Sequence, residues 1–142
     1  MTQRVLVVDD EPANVELLKA YLDQLADEVL GLTESAEAER AVAEFRPDLV
    51  LLDLHMPEPD GLELLRRLRT ARANEGFLPV IVLSADGRTV ARNSALILGA
   101  DDFLIKPLDR LEVRLRVRNQ LRTRHLFQEL ARVTGALPHV AS

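Results

Sequence analysis

The feature that most restricts how this chain can fold is a set of four short apolar runs, at residues 5–8, 49–52, 80–83 and 103–105. Each is too short for a helix and most do not alternate, as expected of parallel strands covered on both faces. A weaker fifth run at residues 29–33 contains Gly31 and reads as an edge strand. Between the runs lie segments with helical spacing. Val15, Leu18, Leu22 and Leu25 form one stripe; Ala38, Ala41, Val42 and Phe45 a second; Leu62, Leu65 and Leu68 a third; Ala91, Ala95 and Leu98 a short fourth. A long fifth begins near Asp109.

The punctuation agrees with this division. Pro12 suits the first turn of a helix, where its missing N–H costs nothing. Asp60 with Glu63, and Asp109 with Glu112, have N-cap spacing. Gly99 and Ala100 fit a helix stop, and Pro47 and Pro79 sit just ahead of strands. The alternation β-α-β-α-β-α-β-α-β predicts an α/β fold: a doubly wound, parallel, five-stranded sheet with helices on both faces.

The residues just past each run carry the chemistry. Asp9, Asp10 and Glu11 succeed the first, Asp53 the second, Ser84 the third and Lys106 the fourth. In an open parallel sheet the carboxyl ends of the strands share one edge, and sites form there. Several carboxylates, a hydroxyl and an ammonium should therefore converge on one crevice. Two carboxylates ~4 Å apart repel by roughly 4 kcal/mol at an effective dielectric of about 20, so such a group calls for a cation. Hard oxygen ligands in a chain without cysteine point to Mg²⁺, which keeps several waters and recruits phosphate. Lys106 and Ser84 then suit a phosphoryl group, and a carboxylate can be the nucleophile that receives it. Each residue also has a plainer reading: an Asp after a strand is commonly a helix N-cap, as Asp10 could be for the helix at Pro12. Ser84 could be a turn residue, and Lys106 a solvated loop lysine.

The totals narrow the field. A chain of 142 residues with 47% apolar residues forms one packed domain and little else. The net charge of −5 argues against nucleic acid as a direct partner. No apolar run approaches the roughly 20 residues of a membrane span. With no secretion signal after Met1, a cytoplasmic protein is expected. His55, His125 and His139 fit no metal-ligand spacing.

Taken together, four stretches resemble the receiver domain of bacterial two-component response regulators. They are Val7-Val8-Asp9-Asp10-Glu11; Leu52-Asp53-Leu54-His55-Met56-Pro57 with Asp60-Gly61; Val82-Leu83-Ser84-Ala85; and Gly99-Ala100-Asp101-Asp102-Phe103-Leu104-Ile105-Lys106-Pro107. The resemblance spans residues 3 to 120 or so. It implies a flavodoxin-like (βα)5 sheet in strand order 2-1-3-4-5, with Asp53 as the phosphorylated aspartate. It implies Mg²⁺ held by Asp10, Asp53 and the backbone carbonyl of His55, with Asp9 bound directly or through water. Ser84 would bond the phosphoryl oxygen, Lys106 would pair with it, and the Lys106–Pro107 bond would be cis. Ser84 and Phe103 would be the switch residues, though Phe103 also reads as core packing. His55 and Asp86 fall at variable places that influence acyl-phosphate lifetime in the family. The implied partner is a histidine kinase or phosphotransfer protein. The chain would be no turnover enzyme, catalysing only its own phosphotransfer and dephosphorylation.

The last segment is long for a receiver alone. From Asp109 to Val133 there is no proline or glycine. Leu111, Leu115, Leu126, Leu130 and Val133 fall on one side, and Val113, Val117 and Leu121 on roughly the opposite one. One side can pack on the sheet and the other needs a partner. We divide the chain into a receiver at 1–122 and a helical extension with tail at 123–142, either a linker to an output domain or a dimerisation helix. Asp101 and Asp102 could meet the helix's arginines across a two-fold interface. Three competitors remain: an aspartate-nucleophile phosphatase, a flavin or nucleotide module, and a receiver kept only as a scaffold. The first needs a second acid two positions after its nucleophile on the first strand, which Asp9 with Glu11 matches poorly. The second lacks a glycine-rich phosphate loop, and the complete acceptor set argues against the third.

Overall fold

The computed structural model of the chain describes residues 2–71 and 77–135. Its elements in order are β1 (Arg4–Val8), α1 (Pro12–Tyr21), β2 (Glu28–Leu32), a 3-10 turn (Ser35–Glu37), α2 (Ala38–Phe45), β3 (Leu49–Asp53), α3 (Gly61–Ala71), β4 (Val80–Ser84), α4 (Thr89–Ile97), β5 (Asp102–Ile105) and α5 (Arg110–Thr134). The five strands pair in parallel in the order β2-β1-β3-β4-β5. Every strand lies within a residue or so of its apolar run. The expected tail beyond Gly135, including Ala136, Leu137, Pro138 and His139, lies outside the described residues, as does the side chain of Ala91.

Period-two alternation divides the core. Leu6, Val8, Val50, Leu52, Val80 and Val82 face α2, α3 and α4, where Val42, Leu64, Leu65, Leu68 and Ala95 meet them. Val5, Val7, Leu49, Leu51, Ile81, Leu83 and Leu104 face α1 and α5, against Val15, Leu18, Val113, Val117 and Leu121. Right-handed crossovers produce this division: the path runs outward from β1 to β2, then back across to β3, so the helices change faces. The reversal puts the carboxyl ends of β1 and β3 side by side (Val8 is in register with Leu52). Gly31 in β2 lets α1 pack close, since a Cβ there would lie 2.2 Å from Val15 Cγ1. Gly99, with φ +105, turns the chain out of α4.

The caps form as the spacing predicts. Asp60 Oδ1 accepts the Glu63 N–H at 2.9 Å, and Asp109 Oδ2 accepts the Glu112 N–H at 2.9 Å. Asp10 is not a cap: Glu11 holds the N-cap position of α1 without a side-chain hydrogen bond.

Periodicity leaves open which face of α5 packs down, and the structure answers it. Val113, Val117 and Leu121 are buried, while Leu111, Leu115, Leu126, Leu130 and Val133 are exposed. Past residue 122 the helix still touches the domain. Arg124 donates to Asp48 Oδ1 at 3.0 Å and to the Phe77 carbonyl, and the Phe127 and Phe77 rings meet at 5.7 Å between centroids. Asp101 differs from expectation. Arg69 reaches it from α3, the Val80 N–H donates to it at 2.7 Å, and Arg69 also caps the Gly99 carbonyl at 2.8 Å. Asp101 is thus spent within the domain, and Asp102 faces Arg116 of its own chain at 3.5 Å. Among the described residues, no helix is long and apolar enough to cross a membrane.

Arg124→Met is expected to cost about 2 kcal/mol, the worth of a charge-assisted hydrogen bond that is partly shielded from water. The loss should be local. Amide exchange should accelerate from residue 122 onward and stay slow in β1 and β3. Equal acceleration in the sheet would show that Arg124 holds the whole domain rather than the end of α5.

Candidate functional site

Each polar residue is placed by the end of a strand. β1 stops at Val8, and Asp9 is fully buried. Its N–H donates to the Leu32 carbonyl at 3.0 Å, and its Oδ1 accepts the Glu11 N–H at 3.0 Å, an Asx turn that aims the carboxylate across the sheet edge. Asp10 is exposed. Asp53 ends β3 with 2% of its surface exposed, and its Oδ1 accepts the His55 N–H at 3.3 Å. Ser84 ends β4, fully buried. Lys106 follows β5, its N–H bonded to the Ser84 carbonyl at 2.8 Å. The Lys106–Pro107 bond is cis, as is Glu58–Pro59.

The side chains of Asp9, Asp10, Asp53 and Lys106 converge, while the Ser84 hydroxyl is bonded to His55 and Asp86. Lys106 Nζ lies 3.1 Å from Asp9 Oδ2 and 3.3 Å from Asp53 Oδ1, so it is no solvated loop lysine. Asp9, Asp10 and Asp53 each offer one carboxylate oxygen, all within 4.8 Å of one another. Fully ionised, these carboxylates and the one ammonium leave a formal charge of −2. Burial first, then the charge of Asp9, pushes the Asp53 carboxyl above its ordinary range, against the pull of Lys106 and the His55 N–H. Burial works to lower Lys106, but its hydrogen bond to Asp9 and the charges of Asp53 and Asp9 raise it. An all-oxygen donor set carrying excess negative charge fits a hard divalent cation.

Three features were not read from the sequence. The His55 ring, exposed at its outer side, places Nε2 2.9 Å from Ser84 Oγ. Ser35 Oγ donates to the Pro57 carbonyl at 3.1 Å and steadies the loop after β3. Gly61 sits where a Cβ would lie 2.3 Å from the Asp53 carbonyl oxygen. An Asp-x-His spacing hints at the first; the other two depend on loop paths with no local signal. Phe103 is half-buried against the cluster beneath α2, α3 and α4. His125 lies on α5.

A parallel sheet in this order, with an acidic rim at the carboxyl ends of its strands, is the architecture of a two-component signalling domain. The response regulator receiver domain family matches residues 5–118, and the chain belongs to that family. It is 38% identical over 129 residues to the response regulator GtcR of Aneurinibacillus migulanus, covering 91% of this chain and 52% of that protein. It is 41% identical over 122 residues to the DNA-binding response regulator MtrA of Mycolicibacterium smegmatis, covering 86% and 52%. The chain thus spans about half the length of the curated relatives it matches. The crystal structure of the BeF3-activated N-terminal receiver domain of Klebsiella pneumoniae RstA superposes with a TM-score of 0.76 at 30% identity, covering 84% of this chain and 99% of that one.

Proposed function

We propose that Asp53 is the phosphoacceptor of a two-component relay. The observation that carries this reading is the position of Lys106 Nζ between Asp9 and Asp53, 3.1 and 3.3 Å away, beside a cluster of three carboxylates. An Asp53 oxygen forms a bond to phosphorus while the P–N bond of a phosphohistidine breaks, and the departing imidazole takes up a proton. Lys106 pairs with the oxyanion of the transferred group, and the Ser84 hydroxyl donates to another of its oxygens. Water later attacks phosphorus, returning Asp53 and inorganic phosphate, so the chain acts only on itself. Asp9, Asp10, Asp53 and the His55 main-chain carbonyl would hold Mg²⁺, which when bound offsets negative charge on the carboxylates and the phosphoryl oxygens.

Ser84 moving toward the phosphoryl group and Phe103 turning inward would remodel the surface of α4, β5 and α5. This is a two-state equilibrium biased by a covalent ligand. The partners are a histidine kinase or phosphotransfer protein on one side and an output segment or effector on the other. Residues 1–122 are the receiver and 123–142 the extension, with the exposed Leu126, Leu130 and Val133 as a surface for homodimerisation or transmission. We place the protein in the cytoplasm, without direct contact to nucleic acid; DNA binding is named for MtrA, of which this chain matches about half.

The test is transfer from autophosphorylated histidine kinases in the presence of Mg²⁺. The expected result is rapid movement of radiolabel onto this chain from at least one donor, with sizing of both forms reporting any dimer. Steady hydrolysis of a phosphomonoester without self-labelling would instead favour the phosphatase reading.

A further inference from the structure

We infer that the His55 imidazole is a positioning group: it holds the Ser84 hydroxyl in its unphosphorylated setting and so sets how readily the switch is thrown. The inference rests on the reading of Ser84 given above and adds a restraint on it.

Ser84 Oγ is committed on two sides. The Asp86 N–H donates to it at 2.9 Å, and His55 Nε2 stands at 2.9 Å; the Asp86 carbonyl is more distant at 3.3 Å. A hydroxyl has one proton and two lone pairs. With Nε2 as acceptor, the ring takes the proton that a phosphoryl oxygen would need. With Nε2 as donor, it takes the second lone pair. With Nε2 as the acceptor, donation of that proton to a phosphoryl oxygen breaks this bond.

Apart from its electrostatic pull on the Asp86 carboxylate, the ring has one partner among the described residues. His55 is exposed, so it does not serve as core. Its only side-chain hydrogen bond among the described residues is the one to Ser84. The bond joins the loop leaving Asp53 to the loop entering α4, where Arg88 grips the Asp86 carboxylate at 2.7 Å. The segment that must rearrange is thereby tied to the loop leaving Asp53 through one hydroxyl.

The experiment compares the unsubstituted chain with His55→Phe, which keeps a ring but no nitrogen, and His55→Gln, which keeps a hydrogen-bonding group at similar reach. The probe is beryllofluoride with Mg²⁺, titrated calorimetrically, with amide spectra of Asp86 and Gly87 recorded before and after. One ordinary hydrogen bond, about 1 kcal/mol, is worth roughly fivefold in equilibrium. His55→Phe should bind about fivefold more tightly, with its free-state Asp86 and Gly87 signals already displaced toward the bound positions. His55→Gln should track the unsubstituted chain, which a merely structural role for the ring would not produce. Three equal affinities, weaker binding by His55→Phe, or equal shifts in both variants would overturn the latch while leaving Asp53 as acceptor. No binding by the unsubstituted chain would overturn the acceptor reading and the latch with it.

Discussion

Asp53→Asn is expected to make the metal-free protein more stable at neutral pH, by about 1–2 kcal/mol. Asp53 is buried beside Asp9, and burial and that neighbouring charge hold its carboxyl above its ordinary value of 3.8. At an effective dielectric near 20 the repulsion from Asp9 and the attraction of Lys106 are each roughly 4–5 kcal/mol and offset one another, so the cost of burying the charge, the first cause of the shift, is what remains. Proton linkage sets the sign. As pH rises past the ordinary Asp value, the unfolded chain releases its proton first, while the folded protein still holds one. Stability therefore falls across the interval up to the raised folded value and is flat above it. Asn does not titrate, so the variant should lose that fall. Urea melts in EDTA across the acid range check this directly. Mg²⁺ should reverse the order, stabilising the unsubstituted protein by mass action and the variant much less. An Asp53→Asn protein that is less stable than its parent in EDTA at neutral pH would mean the carboxylate is not strained by its neighbours.

The second large effect is expected at Gly61, the first residue of α3. A Cβ there would lie 2.3 Å from the Asp53 carbonyl oxygen and 2.4 Å from the Leu54 Cα. Both are backbone atoms at the end of the strand that carries Asp53, so no side chain can swing away to make room. Gly61→Ala must push the end of β3 and the start of α3 apart, stretching the Gly61 N–H bond to the Leu54 carbonyl, now 3.1 Å. We expect a loss of about 3 kcal/mol in denaturant melts, the upper part of the usual overpacking range. Labelling of Asp53 should fall by one to two orders of magnitude even where the variant is fully folded, because a displacement of roughly 1 Å can cost about a hundredfold. Gly87→Ala is the control. The three atoms nearest its Cβ would all belong to the flexible Ile105 side chain, the closest at 3.2 Å, and the substitution should cost well under about 1 kcal/mol. Equal effects of the two substitutions would remove the special role given to Gly61.

The features legible in the sequence and those hidden from it divide along physical lines. The strands were legible because a buried parallel strand leaves an uninterrupted apolar run. Asp9, Asp10, Asp53, Ser84 and Lys106 were legible because each stands within two residues of the end of such a run, and topology alone brings those ends together. The strand order was not deducible from spacing and came through family resemblance. The packed face of α5 was undetermined because valines and leucines mark both sides at the same period. Only the contacts of Val113, Val117 and Leu121 with Leu49, Leu51 and Ile81 in one cluster decide it. Nothing local announces that Asp101 is spent on Arg69, which is 32 residues away. The clasp of Arg124 on Asp48 spans 76 residues and is equally silent. The His55 ring has no signal in the sequence because its direction is a property of the loop that carries it.

The most direct measurement is the intact mass of the chain after incubation with acetyl phosphate, with and without Mg²⁺, for the parent and for Asp53→Asn. A carboxylate trio that shares a cation opposite Lys106 predicts one phosphoryl group per parent chain, only when Mg²⁺ is present, and none on the variant. Full labelling of the variant, or of the parent in EDTA, would contradict it.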